Sequence, residues 1–127
     1  MNPKDYVKEC LVTEARDMGP VLERLQNLGT VRLIHAMIGL CTETGEFQDA
    51  LKKHIFYGKE IDKVNLKEEL GDLCWYISIA LDELGLSFEE IMQTNIDKLK
   101  ARYGEKFTES AALNRNLDNE SKILSGE

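Results

Sequence analysis

The sequence predicts an all-α fold, an antiparallel bundle of about four to five helices, and three observations carry that prediction. Only two prolines and nine glycines are spread over 127 residues, which suits long helices better than a turn-rich sandwich. Apolar residues recur at offsets of three and four instead of alternating. Helix stop signals separate these runs, with no internal repeat and no segment that reads as a strand. A chain of this length accommodates one core and is too short for two comfortable ones.

Asn2 and Pro3 predict the start of a first helix, because proline at the first helical position lacks only an N–H the helix does not use. Val7, Cys10 and Leu11 follow at helical spacing until Met18-Gly19-Pro20 breaks the run. A short amphipathic piece carries Val21, Leu22, Leu25 and Leu28, with Gly29 closing it. Thr30 reads as the cap of a long helix that ends at Tyr57 with Gly58 as terminator. Its first half, Val31 to Cys41, is apolar almost all round, interrupted by Arg32 and His35, and such a helix is normally buried on most sides. After a polar connection, Asn65 with Glu68 reads as a capped start of a helix running to about Leu84, ended by Gly85. Ser87 with Glu90 repeats that signal for a helix reaching roughly Tyr103, with Gly104 beyond it. Residues 1–107 are expected to form the helical domain, and residues 108–127 a polar, loosely attached C-terminal tail in which Glu109, Asp118 and Glu120 serve solubility.

The formal net charge of −7 excludes a broad grip on a nucleic acid polymer or an anionic membrane. The longest nearly apolar run, Leu73 to Leu81, is far short of a membrane span. Cys10, Cys41 and Cys74 are odd in number and far apart, each in an apolar helical context where a free thiol acts as a small hydrophobe. With no basic-then-apolar leader pattern, these features predict a cytoplasmic protein.

Two pairs of acids stand out. Glu43 and Glu46 lie three apart on one long helix, and Glu69 and Asp72 lie three apart on the next. Each pair therefore shares a face, and the short connection makes the two helices antiparallel neighbours. With 23 acidic residues in the chain, the spacing alone arises often by chance. The surroundings are what set these pairs apart: Gly39 and Ala50 bracket the first, and the second runs directly into the apolar block CWYISIAL. Carboxylates at the edge of a core must be paired, protonated or metal-bound, and too few basic residues stand nearby to pair all four. Four carboxylates with no imidazole describe a hard-cation site for Mg²⁺, with Mn²⁺ as a substitute. A di-iron bundle would ask for Glu-x-x-His, and neither His35 nor His54 has a Glu three residues before it. Asn95, Lys98 and Arg102 form a further row on one helix face, suited either to phosphate oxygens or to a solvated basic stripe. His35 and His54 read as packing and surface residues. Trp75 and Tyr76 read as core or subunit contacts, although a nucleobase must also stack on something.

These stretches resemble the MazG-like all-α nucleoside triphosphate pyrophosphohydrolases. The resemblance lies in GLCTETGEFQDALKK (Gly39 to Lys53), LKEELGDLCWYISIALDELGLS (Leu66 to Ser87) and NIDKLKARYGEKF (Asn95 to Phe107), and spans about Val31 to Phe107. The family pattern is Glu-x-x-Glu, a spacer, then Glu-x-x-Asp, and here 22 residues separate Glu46 from Glu69. The resemblance implies that Glu43, Glu46, Glu69 and Asp72 are the magnesium ligands and catalytic acids. It implies that Lys53, Asn95, Lys98 and Arg102 help hold the nucleotide. It also implies a homodimer or homotetramer, with each site completed by a neighbouring chain. Some members carry an extra acid beside the first pair as the base; Thr42 and Thr44 stand there in this chain, leaving Glu43 or Glu46 to accept the proton.

The implied reaction converts a (d)NTP and water to a (d)NMP and pyrophosphate, in the service of cleansing the nucleotide pool. Divalent cations between four carboxylates and a triphosphate reverse their repulsion and acidify the attacking water. Attack at the α-phosphorus comes from the resemblance alone. Two other classes account for part of the pattern: a non-catalytic acidic helical module that binds a partner protein, and a nucleotide sensor that does not hydrolyse. The first leaves the matched acid pairs beside the core unexplained.

Overall fold

The computed structural model describes residues 1–126. Seven helices follow one another among the described residues: α1 (Pro3–Val12), α2 (Gly19–Leu25), α3 (Leu28–Tyr57), α4 (Lys63–Leu84), α5 (Phe88–Tyr103), α6 (Glu109–Leu113) and α7 (Leu117–Ser125). There is no strand among the described residues. The all-α expectation holds, with α6 and α7 added in the stretch expected to be a tail.

The helix starts are chemically marked. Asn2 accepts a hydrogen bond from the Asp5 amide at 2.9 Å, and Ser87 accepts from the Glu90 amide at 3.1 Å. Each satisfies an N–H that the first turn leaves without a partner. Two caps differ from the sequence expectation. Asn27 caps α3 by accepting from the Thr30 amide, so Thr30 and Gly29 lie inside the helix. Asp62 caps α4 by accepting from the Val64 and Asn65 amides. Asn65 is thereby freed for another role. Gly58 and Gly85 end α3 and α4 with φ of 67°, the left-handed turn that glycine adopts without strain.

Helices α3 and α4 form the main packed pair, an antiparallel hairpin closed by residues 58–62. Gly39 sets its spacing. A Cβ there would fall inside the Tyr76 ring, so the aromatic side chain of α4 lies directly on the α3 backbone. At the open end, Arg32 of α3 forks onto the carboxylates of Asp82 and Glu83 near the end of α4, with its Nη1 donating to Glu83 at 2.7 Å. The charge that interrupts the apolar start of α3 thus fastens the two helices together.

Helix α5 has its main contacts with α7 and α6. The segment expected to be loosely attached is held by an ionic cluster. Arg102 donates through Nε and Nη2 to Glu120 at 2.8 and 2.5 Å, and Arg115 Nη2 donates to the same carboxylate at 2.6 Å. Glu120 is 4% exposed, so it anchors the tail and does not solubilise it. Among the described residues the only buried apolar side chains are Ala36 and Leu81. Val31, Met37, Ile38, Leu70 and Trp75 stay open on the hairpin, and Cys10, Cys41 and Cys74 are free and exposed too.

Candidate metal centre

One turn of α3 and one turn of α4 meet halfway along the hairpin. Carboxylate oxygens of Glu43, Glu69 and Asp72 there lie within 4.8 Å of one another. Glu69 is 3% exposed, Glu43 is half-buried and Asp72 opens to solvent. Burial pushes the Glu69 carboxyl above its ordinary value, against the opposing pull of a hydrogen bond from Asn65, and the negative Glu46 and Glu43 push the same way as burial. Asn65 Nδ2 donates to Glu69 Oε1 at 2.6 Å, fixing the orientation of the carboxylate from one turn earlier on α4. The Thr42 hydroxyl lies 3.1 Å from Glu43 Oε1, sharing its single proton between that oxygen and the Gly39 carbonyl.

None of the ion pairs among the described residues involves Glu43, Glu46, Glu69 or Asp72. Three acids held together without a basic partner repel one another unless a proton or a cation joins them. The donor set is all oxygen, and the amide of Asn65 locks one ligand from behind. Such a set fits a hard divalent cation.

Glu46 stands outside this tight group and lines the adjoining cleft of about 430 Å³, together with Thr42, Asp49, Lys53, Asn65 and Glu69. Lys53 reaches that cleft, as the sequence predicts, but its Nζ is bound to Asp49 at 2.6 Å. Hydrogen bonds from Lys52 and Lys53 draw the Asp49 carboxyl down to about 2. Sequence reasoning gave Asp49 no role and read Asn65 as a helix cap. The signals were available: Asp49 extends the Glu43-x-x-Glu46 series by another three residues, and Asn65 precedes Glu69 by one helical turn.

The α5 residues take a different place. Asn95 and Lys98 line a separate cleft of about 210 Å³ with Leu86, Thr94 and Leu124. Arg102 is occupied by Glu120 and lies over the Tyr103 ring at 5.5 Å. The structure brings together Glu43, Glu69 and Asp72, with Glu46 and Lys53 beside them, and none of Asn95, Lys98 and Arg102 lines the acid cleft. Arg115, like Arg102, holds Glu120.

Residues 34–107, more than half of the chain, match the family model described as the MazG nucleotide pyrophosphohydrolase domain. The Gene 37 protein of Mycobacterium phage L5 is 28% identical over 88 residues, covering 65% of this chain and 76% of that protein. No solved structure matches.

Proposed function

Because the chain belongs to the MazG nucleotide pyrophosphohydrolase domain family, we propose that it is a Mg²⁺-dependent enzyme hydrolysing (d)NTPs to (d)NMPs and pyrophosphate. The observation that carries this reading is the convergence of Glu43, Glu69 and Asp72 within 4.8 Å, without a basic partner. These three would hold the metal, with Glu46 on the cleft wall as a further ligand. Magnesium supplies two things when bound: it neutralises the repulsion between acids and triphosphate, and it makes a coordinated water more acidic.

The chain's own residues do the rest. Asn65 holds Glu69 in one orientation, so the acids wait in position and need little rearrangement. Glu46, exposed on the cleft wall and close to Glu43, accepts the proton of the attacking water. Lys53 exchanges Asp49 for a phosphate oxygen. Asn95, Lys98 and Arg102 hold the triphosphate from a second copy of the chain laid over the hairpin. The fork to Glu120 uses two of the five N–H groups of Arg102, and three remain for an anion.

Surface area supports that second copy. The chain exposes 10411 Å², whereas a compact monomer of 14.5 kDa exposes about 6,900 Å². The excess, about 3,500 Å² per chain or about 7,000 Å² over two chains, lies at or beyond the upper end of obligate contacts, which bury about 2,000–5,000 Å² or more in total. We therefore read the protein as a homodimer or homotetramer. No described helix is long and apolar enough to cross a membrane, and a cytoplasmic house-cleaning role accords with that.

The deciding experiment is a screen of common and damaged nucleotides with Mg²⁺, detecting pyrophosphate. Wild type should release it, and Glu69→Gln and Asp72→Asn should lose at least about a hundredfold in kcat/KM. Near-normal turnover by either variant, with helical circular dichroism intact, ends the assignment. The shared site has its own check. Mixing inactive Glu69→Gln and Arg102→Ala chains should restore part of the activity, because some assembled sites then carry both intact halves.

A further inference from the structure

Resting on the reading of the acid cluster as a triphosphate site, we infer that Trp75 is the platform on which the nucleobase stacks. The indole is the chain's single tryptophan, and it is 56% exposed. Despite that exposure it is held in place. Its ring lies 4.9 Å from Tyr76 at 84° and 6.2 Å from His35 at 80°, while His35 and Tyr76 lie 5.6 Å apart at 85°. Tyr76 in turn is seated on the Gly39 backbone between the helices. Two edge-to-face contacts fix the indole from behind, a third braces the two rings that make them, and most of the indole surface is left to solvent.

Its position relative to the acids gives the arrangement meaning. Trp75 follows Asp72 by three residues, which puts it on the same face of α4, about one turn (~5 Å) further along. On α3, His35 precedes Thr42 by seven residues, two turns along the same face, and Thr42 touches Glu43. One side of the hairpin therefore presents three carboxylates and then, a turn beyond, three aromatic rings. A nucleotide has the same order of chemistry: an anionic triphosphate that needs cations, a short sugar, and a neutral ring. No Lys, Arg, Asp or Glu belongs to the aromatic group, so it offers the phosphates nothing, whereas its indole offers the base a rigid π-surface. A stacking surface reads the face of a base and not its hydrogen-bonding edge, so the shelf accommodates all four bases.

The sole tryptophan makes the test direct. Intrinsic emission is titrated in Mg²⁺ with an α,β-methylene analogue of ATP, which resists cleavage, and with inorganic tripolyphosphate. The analogue should quench Trp75 to saturation, and tripolyphosphate should change the emission far less at equal occupancy. In turnover assays, Trp75→Ala should raise KM by about tenfold or more while kcat changes little, and Trp75→Phe should recover most of the loss. Equal responses to both ligands, or a KM within about twofold of wild type in Trp75→Ala, overturns the inference. So does a fall in the assembled mass of Trp75→Ala by light scattering, which would assign the indole to contacts between chains. Failure of the hydrolytic reading looks different: no pyrophosphate appears from any nucleotide, while the analogue still quenches Trp75.

Discussion

At the scale of single residues, two buried glutamates face opposite electrostatic conditions. Glu69 sits among acids and is pushed towards its protonated form chiefly by burial. Glu120 sits between two guanidiniums and is drawn down to about 2, first by Arg102 and then by Arg115. For the first, a bound divalent cation would supply the positive partner that the chain lacks there. Thermal melting should therefore rise by several degrees in saturating Mg²⁺ for the wild type, because a ligand bound only by the folded state stabilises it. Glu69→Gln should melt at nearly the same temperature with and without the metal. The second glutamate predicts a pH effect of definite sign. Its folded value lies below the ordinary 4.5, so its contribution to tail docking is complete above that value and is lost as pH falls towards 2. The charged groups facing it are Arg102 on α5 and Arg115 just before α7. The protection of the α7 amides, taken relative to the intrinsic exchange rate at each pH, should fall as the solution is acidified from pH 5 to pH 3, and Glu120→Ala should show low protection throughout. The meeting of Glu43, Glu69 and Asp72 was legible in the sequence because each acid pair recurs at helical spacing beside an apolar block, although Glu46 stands outside the group. Glu120 was not legible, because its partner lies 18 residues away and a lone acid in a polar stretch looks like any solvated charge.

At the scale of elements, the closeness of α3 and α4 depends on Gly39. Gly39→Ala places a methyl against the Tyr76 ring, and overpacking of this kind costs about 1–3 kcal/mol. Gly45, six residues along the same helix, has nothing within 4 Å of an added Cβ. Gly45→Ala should therefore be neutral or stabilise by up to about 1 kcal/mol through helix propensity. The opposite signs, read by denaturant unfolding of both variants, separate packing from propensity. Small residues, Gly39 and Ala50, bracket the acids in the sequence, and at Gly39 the helices do approach closely. Helix ends were less legible. Asp62 and Asn65 are both good caps, three residues apart, and sequence alone offers no way to see that Asn65 is committed to Glu69. The pairing of α7 with α5 was equally hidden, since it depends on charge complementarity between elements and not on the apolar pattern of either.

At the scale of the whole molecule, the surplus of exposed apolar surface is the dominant fact. The sequence shows that the first half of α3, Val31 to Cys41, is apolar almost all round, which predicts burial on most sides. It does not show whether the same chain or another provides the cover, because apolar periodicity records only that a face leaves water. With Ala36 and Leu81 as the buried apolar residues of the described chain, the chain itself covers little of that face, and the second copy proposed above would cover part of it. The melting temperature should climb with protein concentration, as it does when folding and association are linked. A midpoint constant over a hundredfold range of concentration would contradict the second copy.

The sparse core has one more consequence. If the hairpin of one chain and the α5 face of another must meet before a site exists, the number of competent sites follows a power of protein abundance higher than the first. Near the dissociation threshold, halving the amount of chain removes more than half of the sites. The supply of protein then governs hydrolysis more steeply than any single bound ligand.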